Sequence, residues 1–248
     1  MEVITSLEYD YIINMNQKAS AEVARILQLL QIPQENVIPA RVFSLPFFDL
    51  QRWVQVKESN ISIISSHCWG GFAYNTLGLP FRSPFINMFW DNKEFLKMLE
   101  DIEEYMDKPL IKLGEAYETN LKRNYPVVGL GDLTIQFNHY TDFEEAVSIW
   151  NRRKERINYD NLFIETTAKD SEEISRFLEL PYENKVCFTM LECNEKNVIS
   201  IRKEQFRSRY EDREWQFALA TVTKDYAECK QYDLLKLLNK EEDYMRMM

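Results

Sequence analysis

The hydrophobic positions of this chain switch repeatedly between strand and helix spacing. Tyr9-Asp10-Tyr11-Ile12-Ile13 reads as a short strand. From Ala19 to Leu30 the apolar residues Val23, Ile26, Leu27 and Leu30 recur at helical spacing until Ile32-Pro33 stops them. Asn36-Val37-Ile38-Pro39 returns to a strand pattern, and Phe47 to Val56, with Phe48, Leu50, Trp53 and Val54, forms a helix or irregular connection. Ile61-Ser62-Ile63-Ile64 is the next strand. It runs through Ser65-Ser66-His67-Cys68-Trp69-Gly70-Gly71 into a short helix, Phe72 to Leu77, closed by Gly78.

Beyond a proline-punctuated loop at Leu79 to Pro84, Phe85 to Phe89 reads as strand. Asp91-Asn92-Lys93-Glu94 has the spacing of a capping box, with Phe95, Leu96, Leu99, Ile102 and Met106 on the buried stripe that follows. Tyr125 to Asp132 reads as a turn that leads into Leu133 to Asn138, where apolar and polar residues alternate strictly, as in a strand. Thr141-Asp142-Phe143-Glu144 is a capping box, and Phe143, Ala146, Val147 and Trp150 mark the inward stripe of a helix reaching about Ile157. Strand, helix and strand then follow at Asp160–Ile164, Ser171–Leu178 and Lys185–Thr189. Short elements are expected at Val198–Ile201 and Phe217–Val222, with a helix at Tyr232–Leu238. This order predicts an α/β fold with Rossmann-like β-α-β alternation, a mainly parallel sheet and helices on both faces. The expected organisation is a small β-α-β lobe over residues 1–58, a main α/β domain over 59–240 and a frayed tail over 241–248.

Composition narrows the function classes. In 248 residues the chain is 45% hydrophobic, enough for a normal core, and carries a formal net charge of −10. That balance argues against nucleic acid as a partner and against anionic membrane surfaces. No window has the length and apolarity of a bilayer span, and the first thirty residues lack the apolar core of a signal peptide. The 4 cysteines form no C-x-x-C pair, which points to reduced thiols and a cytoplasmic setting, and 2 histidines leave few soft metal ligands. No G-x-G-x-x-G accompanies the first β-α-β unit, so a dinucleotide site is not expected, and the cofactor, if any, is unspecified.

The candidate chemistry gathers at strand ends. Cys68 lies at or near a helix N-terminus, where backbone N–H groups and the helix dipole favour a thiolate. Buried, inert thiols are the commoner outcome for such a residue. His139 follows the strand at Leu133–Asn138. If both strands belong to one parallel sheet, thiol and imidazole share an edge, with Cys68 as nucleophile and His139 as general base. Asp132 is placed to orient His139 or bind a substrate hydroxyl, or else to form the turn beside Gly129 and Gly131. His67, pointing away from Cys68 in an extended segment, contacts substrate or packs. Trp69, Gly70, Gly71, Arg82, Asp91 and Tyr140 complete the candidate substrate-binding set. Asp91 also serves as a helix cap, and Arg152, Arg153 and Arg156 complement a helix C-terminus.

The block Ile64-Ser65-Ser66-His67-Cys68-Trp69-Gly70-Gly71 with Leu77-Gly78-Leu79-Pro80-Phe81-Arg82-Ser83-Pro84-Phe85 resembles a bacterial family of domains of unknown function. Members are commonly labelled exopolysaccharide or capsular polysaccharide biosynthesis proteins. The likeness continues through Tyr125-Pro126, Gly131-Asp132, Phe137-Asn138-His139-Tyr140, Trp150-Asn151-Arg152-Arg153 and Arg156 to Asn161, covering residues 60 to 190 or so. It departs at His67, where the family carries Asn. The resemblance implies an α/β protein that acts on glycan material, with a sugar or sugar phosphate as its partner. Joined to the Cys/His pair, it suggests a transferase passing an acyl or similar group to a sugar hydroxyl. The alternatives are an enzyme that binds a nucleotide sugar or sugar phosphate without covalent catalysis, with Gly70, Gly71 and the helix N-terminus cradling phosphate, or a non-catalytic partner in a glycan-assembly complex.

Overall fold

The computed structural model describes residues 8–15, 20–33, 36–119, 121–201, 216, 218–219, 221–222 and 231–245. Cys229, and Phe217 and Ala220 of the element expected at Phe217–Val222, lie outside them. The chain opens with β1 (Ile12–Asn14), α1 (Ser20–Leu29) and β2 (Val37–Pro39), the two strands pairing in parallel. There follow α2 (Leu50–Glu58), β3 (Ser62–Ser65), α3 (Trp69–Leu77), β4 (Phe89–Trp90), α4 (Asn92–Glu100) and α5 (Ile102–Asp107). Then come β5 (Leu110–Glu118), β6 (Arg123–Leu130), β7 (Leu133–Gln136) and α6 (Phe143–Lys154). The order closes with β8 (Leu162–Ala168), α7 (Ser171–Glu179), β9 (Lys185–Thr189), β10 (Val198–Ser200) and α8 (Leu234–Leu238).

The central sheet has four parallel strands in the order β10-β9-β8-β3. Alternation along each strand divides its side chains between two apolar layers. Ile63, Phe163, Val186, Phe188 and Ile199 face Trp53 and Val56 of α2, Trp69, Ala73, Tyr74 and Leu77 of α3, and the leucines of α8. Ile64, Ile164, Cys187 and Val198 face Phe95, Leu96 and Leu99 of α4, Ile174 and Phe177 of α7, and Trp150 of α6. A sheet buried on both faces is what its near-continuous apolar strands require. The first layer also holds Ile38, Val42 and Leu45, so the core runs unbroken across residue 58, where the sequence suggested a boundary.

A second sheet departs from the expected parallel arrangement. Its strands, β4-β7-β6-β5, are all antiparallel. Tyr125 to Leu130, read from the sequence as part of a turn, lies in β6. The turn is confined to Gly131-Asp132, with Leu130 opposite Leu133 and Gly131 at φ 62°. A glycine with positive φ at the first central position of a two-residue loop makes a tight hairpin, which reverses the chain and excludes a parallel crossover. The strand expected at Phe85–Phe89 shrinks to β4, and the helix expected from Asp91 through Met106 breaks at Asp101, which ends α4 and caps α5 through Glu104 N–H at 3.0 Å.

Two borders of the structure are closed by local bonds. The outer side of β3 is sealed by side chains. Ile63 N–H donates to Tyr74 Oη at 2.7 Å, Tyr74 Oη donates to Ile61 C=O at 3.2 Å, and Ser83 Oγ donates to Ile63 C=O at 2.6 Å. The C-terminal segment, expected to fray from residue 241, is held as far as Met245. Tyr244 is buried, its C=O accepts from Asp233 N–H at 2.8 Å, and Met245 bridges to Tyr232.

Candidate functional site

Cys68 is the N-cap of α3 and has helical backbone angles, φ −69° and ψ −4°. Its side chain makes no capping bond, which leaves the sulfur free to face another group. That group is His139, whose Nε2 lies 3.6 Å from Cys68 Sγ, within hydrogen-bond reach for sulfur. Cys68 is partly buried and His139, in the turn after β7, is exposed, so the pair sits at the surface.

The route that joins them is not the shared parallel edge suggested by the sequence. Trp90 N–H donates to Ser66 C=O at 3.1 Å, which hangs β4 from the end of β3, and β4 pairs with β7. The turn beyond β7 is anchored on both sides of His139. Phe137 is fully buried and lies 6.0 Å from the Trp150 ring. Tyr140 is buried as well, donating to Ile86 C=O at 3.3 Å and accepting from Arg153 at 3.2 Å. Packing of the flanking aromatic rings therefore fixes where the imidazole stands.

The electrostatics favour a neutral pair. Burial first, and then the charge of Glu165, push the Cys68 thiol up to about 11. This reverses the thiolate expected from the helix N-terminus. Burial and the nearby Arg123 guanidinium lower the His139 pKa, with Glu118 opposing them. Near neutral pH the site holds a thiol and an uncharged imidazole, which can accept a proton as the sulfur forms a bond.

Beneath the pair lies a polar layer that the motif reading missed. Glu165 is fully buried in the middle of β8, in register with Ser65 at the end of β3. Its Oε2 accepts from Ser65 Oγ at 2.6 Å, and its Oε1 lies 3.3 Å from His67 Nε2 without an aligned hydrogen bond. His67 is buried and packs; its Nδ1 accepts from Trp69 N–H at 3.3 Å, which places the ring proton on Nε2. A signal was present, since Glu165 is the one charged residue in the run Leu162-Phe163-Ile164-Glu165-Thr166-Thr167-Ala168. The layer continues from Thr166 Oγ1 to Asn92 at 2.7 Å, and from Asn92 Nδ2 to the buried Glu173 at 2.9 Å.

The other candidates fall in different places. Trp69 is fully buried, stacked on Phe163 at 5.9 Å, with its indole N–H donating to Thr221 Oγ1 at 3.3 Å. Gly70 and Gly71 serve close packing. A Cβ on Gly70 would meet Ser65 Cβ at 3.0 Å, and one on Gly71 would meet Ile86 at 3.4 Å. The N–H groups of Trp69 and Gly70 are already taken by His67 Nδ1 and Ser65 Oγ, which removes two donors from a phosphate cradle. Asp132 sits at the far end of β7 from His139 and is bound by Lys97 and by Tyr105 Oη, which hold its carboxylate down to about 2. Asp91 is the cap of α4, accepting from Lys93 N–H at 3.0 Å. Arg82 lies beside the start of β3, where Ser62 Oγ donates to its C=O at 2.9 Å, away from Cys68. Arg153 stacks over Phe81 at 4.9 Å and Arg156 donates to Phe81 C=O at 3.4 Å, so both fasten the loop after α3.

Two clefts, of about 380 and 430 Å³, open where β8 and β9 begin, at the opposite end of the central sheet from Cys68. Among the described residues, no three of His, Cys, Asp and Glu are grouped so as to hold a metal ion, and no helix is long and apolar enough to cross a membrane.

The sequence model of a domain of unknown function, DUF1919, matches residues 40–239, a span that includes Cys68, His139 and Glu165. The chain belongs to this family. It is also similar to an uncharacterized protein of Haemophilus influenzae, with 37% identity over 147 residues, covering 57% of this chain and 68% of that protein.

Proposed function

We propose that the chain is a cytoplasmic group-transfer enzyme of exopolysaccharide or capsular polysaccharide assembly, with Cys68 as nucleophile and His139 as base. The observation that carries this reading is the 3.6 Å approach of Cys68 Sγ to His139 Nε2 at an accessible surface. The glycan setting rests on the resemblance of the Cys-Trp-Gly-Gly and His-Tyr blocks to proteins carrying that label. In the first step His139 Nε2 takes the thiol proton as Sγ bonds to the carbonyl carbon of an activated acyl donor. The donor's leaving group departs with that proton. In the second, His139 removes the proton of a sugar hydroxyl, whose oxygen bonds to the acyl carbon; the S–C bond breaks and the proton returns to sulfur. His139 is suited to this role because burial and Arg123 keep it uncharged.

Mass spectrometry of the purified protein after exposure to acyl-CoA and nucleotide-sugar pools tests the reading. The expected result is an acyl mass on the peptide containing Cys68, absent from Cys68→Ser and discharged by a sugar acceptor. Absence of any Cys68 adduct across these donors overturns covalent catalysis.

A further inference from the structure

Arg123 opens β6, and the strand pairing brings it to the candidate site. Val127 stands opposite Gln136 in the β6–β7 ladder, and Phe137 N–H donates to Pro126 C=O at 3.1 Å, so the pairing continues past the end of β7. Beyond that bond the chain turns, Tyr140 N–H donating to Phe137 C=O at 2.9 Å, so Arg123 stands at the end of the hairpin from which the His139 turn departs, and its charge is felt at the imidazole. Arg123 Nε is shut off from solvent and finds no acceptor. Arg52 is held by Glu241 and Arg176 by Glu100, whereas Arg123 makes no ion pair with a described carboxylate, although Glu118 is its cross-strand partner. A desolvated guanidinium donor without an acceptor, in a chain of net charge −10, is an unmet demand for an anion.

We infer that Arg123 binds an anionic group, a carboxylate or a phosphate, on the molecule presented to the Cys68–His139 pair. The planar fork of the guanidinium suits either oxyanion in a two-point contact. The inference rests on the proposed transfer site for where the molecule lies, and not on the covalent step. A sugar phosphate, the diphosphate of a nucleotide sugar and a uronic acid all share the required chemistry.

The test follows the His139 ring by proton–nitrogen NMR in the Cys68→Ser protein, so that no covalent step contributes. His139→Gln identifies the signal by its disappearance, since the chain has only 2 histidines. Pyrophosphate, inorganic phosphate and glucuronate are titrated separately, against sodium chloride at matched ionic strength. At least one anion is expected to move the His139 signal and raise its titration midpoint toward the ordinary value, because the bound charge offsets the Arg123 field. Arg123→Gln should bind that anion about tenfold or more weakly, with partial recovery in Arg123→Lys. The phosphate and glucuronate arms distinguish the two sources. No response to any of the three anions, or an equal response in Arg123→Gln, overturns the inference. A Cys68 adduct without an anion response leaves transfer standing and removes the anion site; an anion response without any adduct does the reverse.

Discussion

Gly70 shows how tightly the residues around Cys68 are fitted. An added Cβ would press on Ser65 Cβ at 3.0 Å and Ile63 Cγ2 at 3.1 Å, both on the strand beneath, so α3 would have to lift away. Gly70→Ala should lower stability by about 1–3 kcal/mol through overpacking, measured by urea unfolding, and Gly71→Ala by less because its nearest contact is 3.4 Å. The thiol itself is a second test. With the Cys68 pKa near 11 rather than 9.0, its thiolate fraction at pH 8 is about 100-fold below that of an ordinary cysteine. Iodoacetamide should therefore alkylate Cys68 more slowly than an unfolded control, with the rate climbing up to about pH 11. Glu165→Gln removes the charge that disfavours the thiolate and should speed the reaction. A fast reaction at pH 7 would show a preformed thiolate instead.

Among the elements, the β6–β7 hairpin decides the site; β7 was legible in the strict alternation of Leu133–Asn138, whereas β6 was read as a turn. The parallel strands were readable because Ile63-Ile64, Leu162–Ile164 and Val186–Phe188 are apolar on both faces, and the helices because capping-box spacings beginning at Asp91 and Thr141 mark their starts, the second one residue before the actual cap, Asp142. β5 was not, since Lys112, Gly114 and Glu115 dilute a strand whose Ile111, Leu113 and Tyr117 are exposed. Cys68 and His139 were recognised as strand-end residues, yet the reason they meet is antiparallel pairing through β4. Glu165 escaped because its role depends on a register 100 residues long, Ser65 against Glu165, which no local motif encodes. One element-scale test concerns α6. Asp142 caps it, accepting from Glu145 N–H at 2.8 Å, and Asp142→Ala should cost about 1 kcal/mol in chemical denaturation while leaving His139 in the chain.

For the whole molecule, buried thiols and the exposed imidazole tie stability to pH in opposite windows. Burial raises Cys187 well above 9.0 and Cys68 to about 11, so above about pH 9 the unfolded chain loses these protons first. Stability should fall as pH rises from 9 toward 11, and less steeply in Cys68→Ser. His139 has the reverse sense. Its lowered folded-state pKa means that the unfolded chain binds the extra proton near 6.5, so stability rises with pH through the window just below 6.5 and is lost on acidification. Melting temperatures from pH 5 to 10.5 would show a plateau between the two declines.

The sealed outer side of β3 bears on how copies of this chain behave towards one another. Tyr74 and Ser83 cover the backbone of Ile63 from within twenty residues, whereas β8, which covers the other side, arrives about 100 residues later. The nascent sheet therefore has one border closed early and can grow only toward β8. Tyr74→Phe would reopen that border, leaving Ile63 N–H and Ile61 C=O available to a strand of a neighbouring molecule. Refolding of this variant should show concentration-dependent turbidity at protein levels where the parent stays clear; equal clarity would mean that other groups guard the edge.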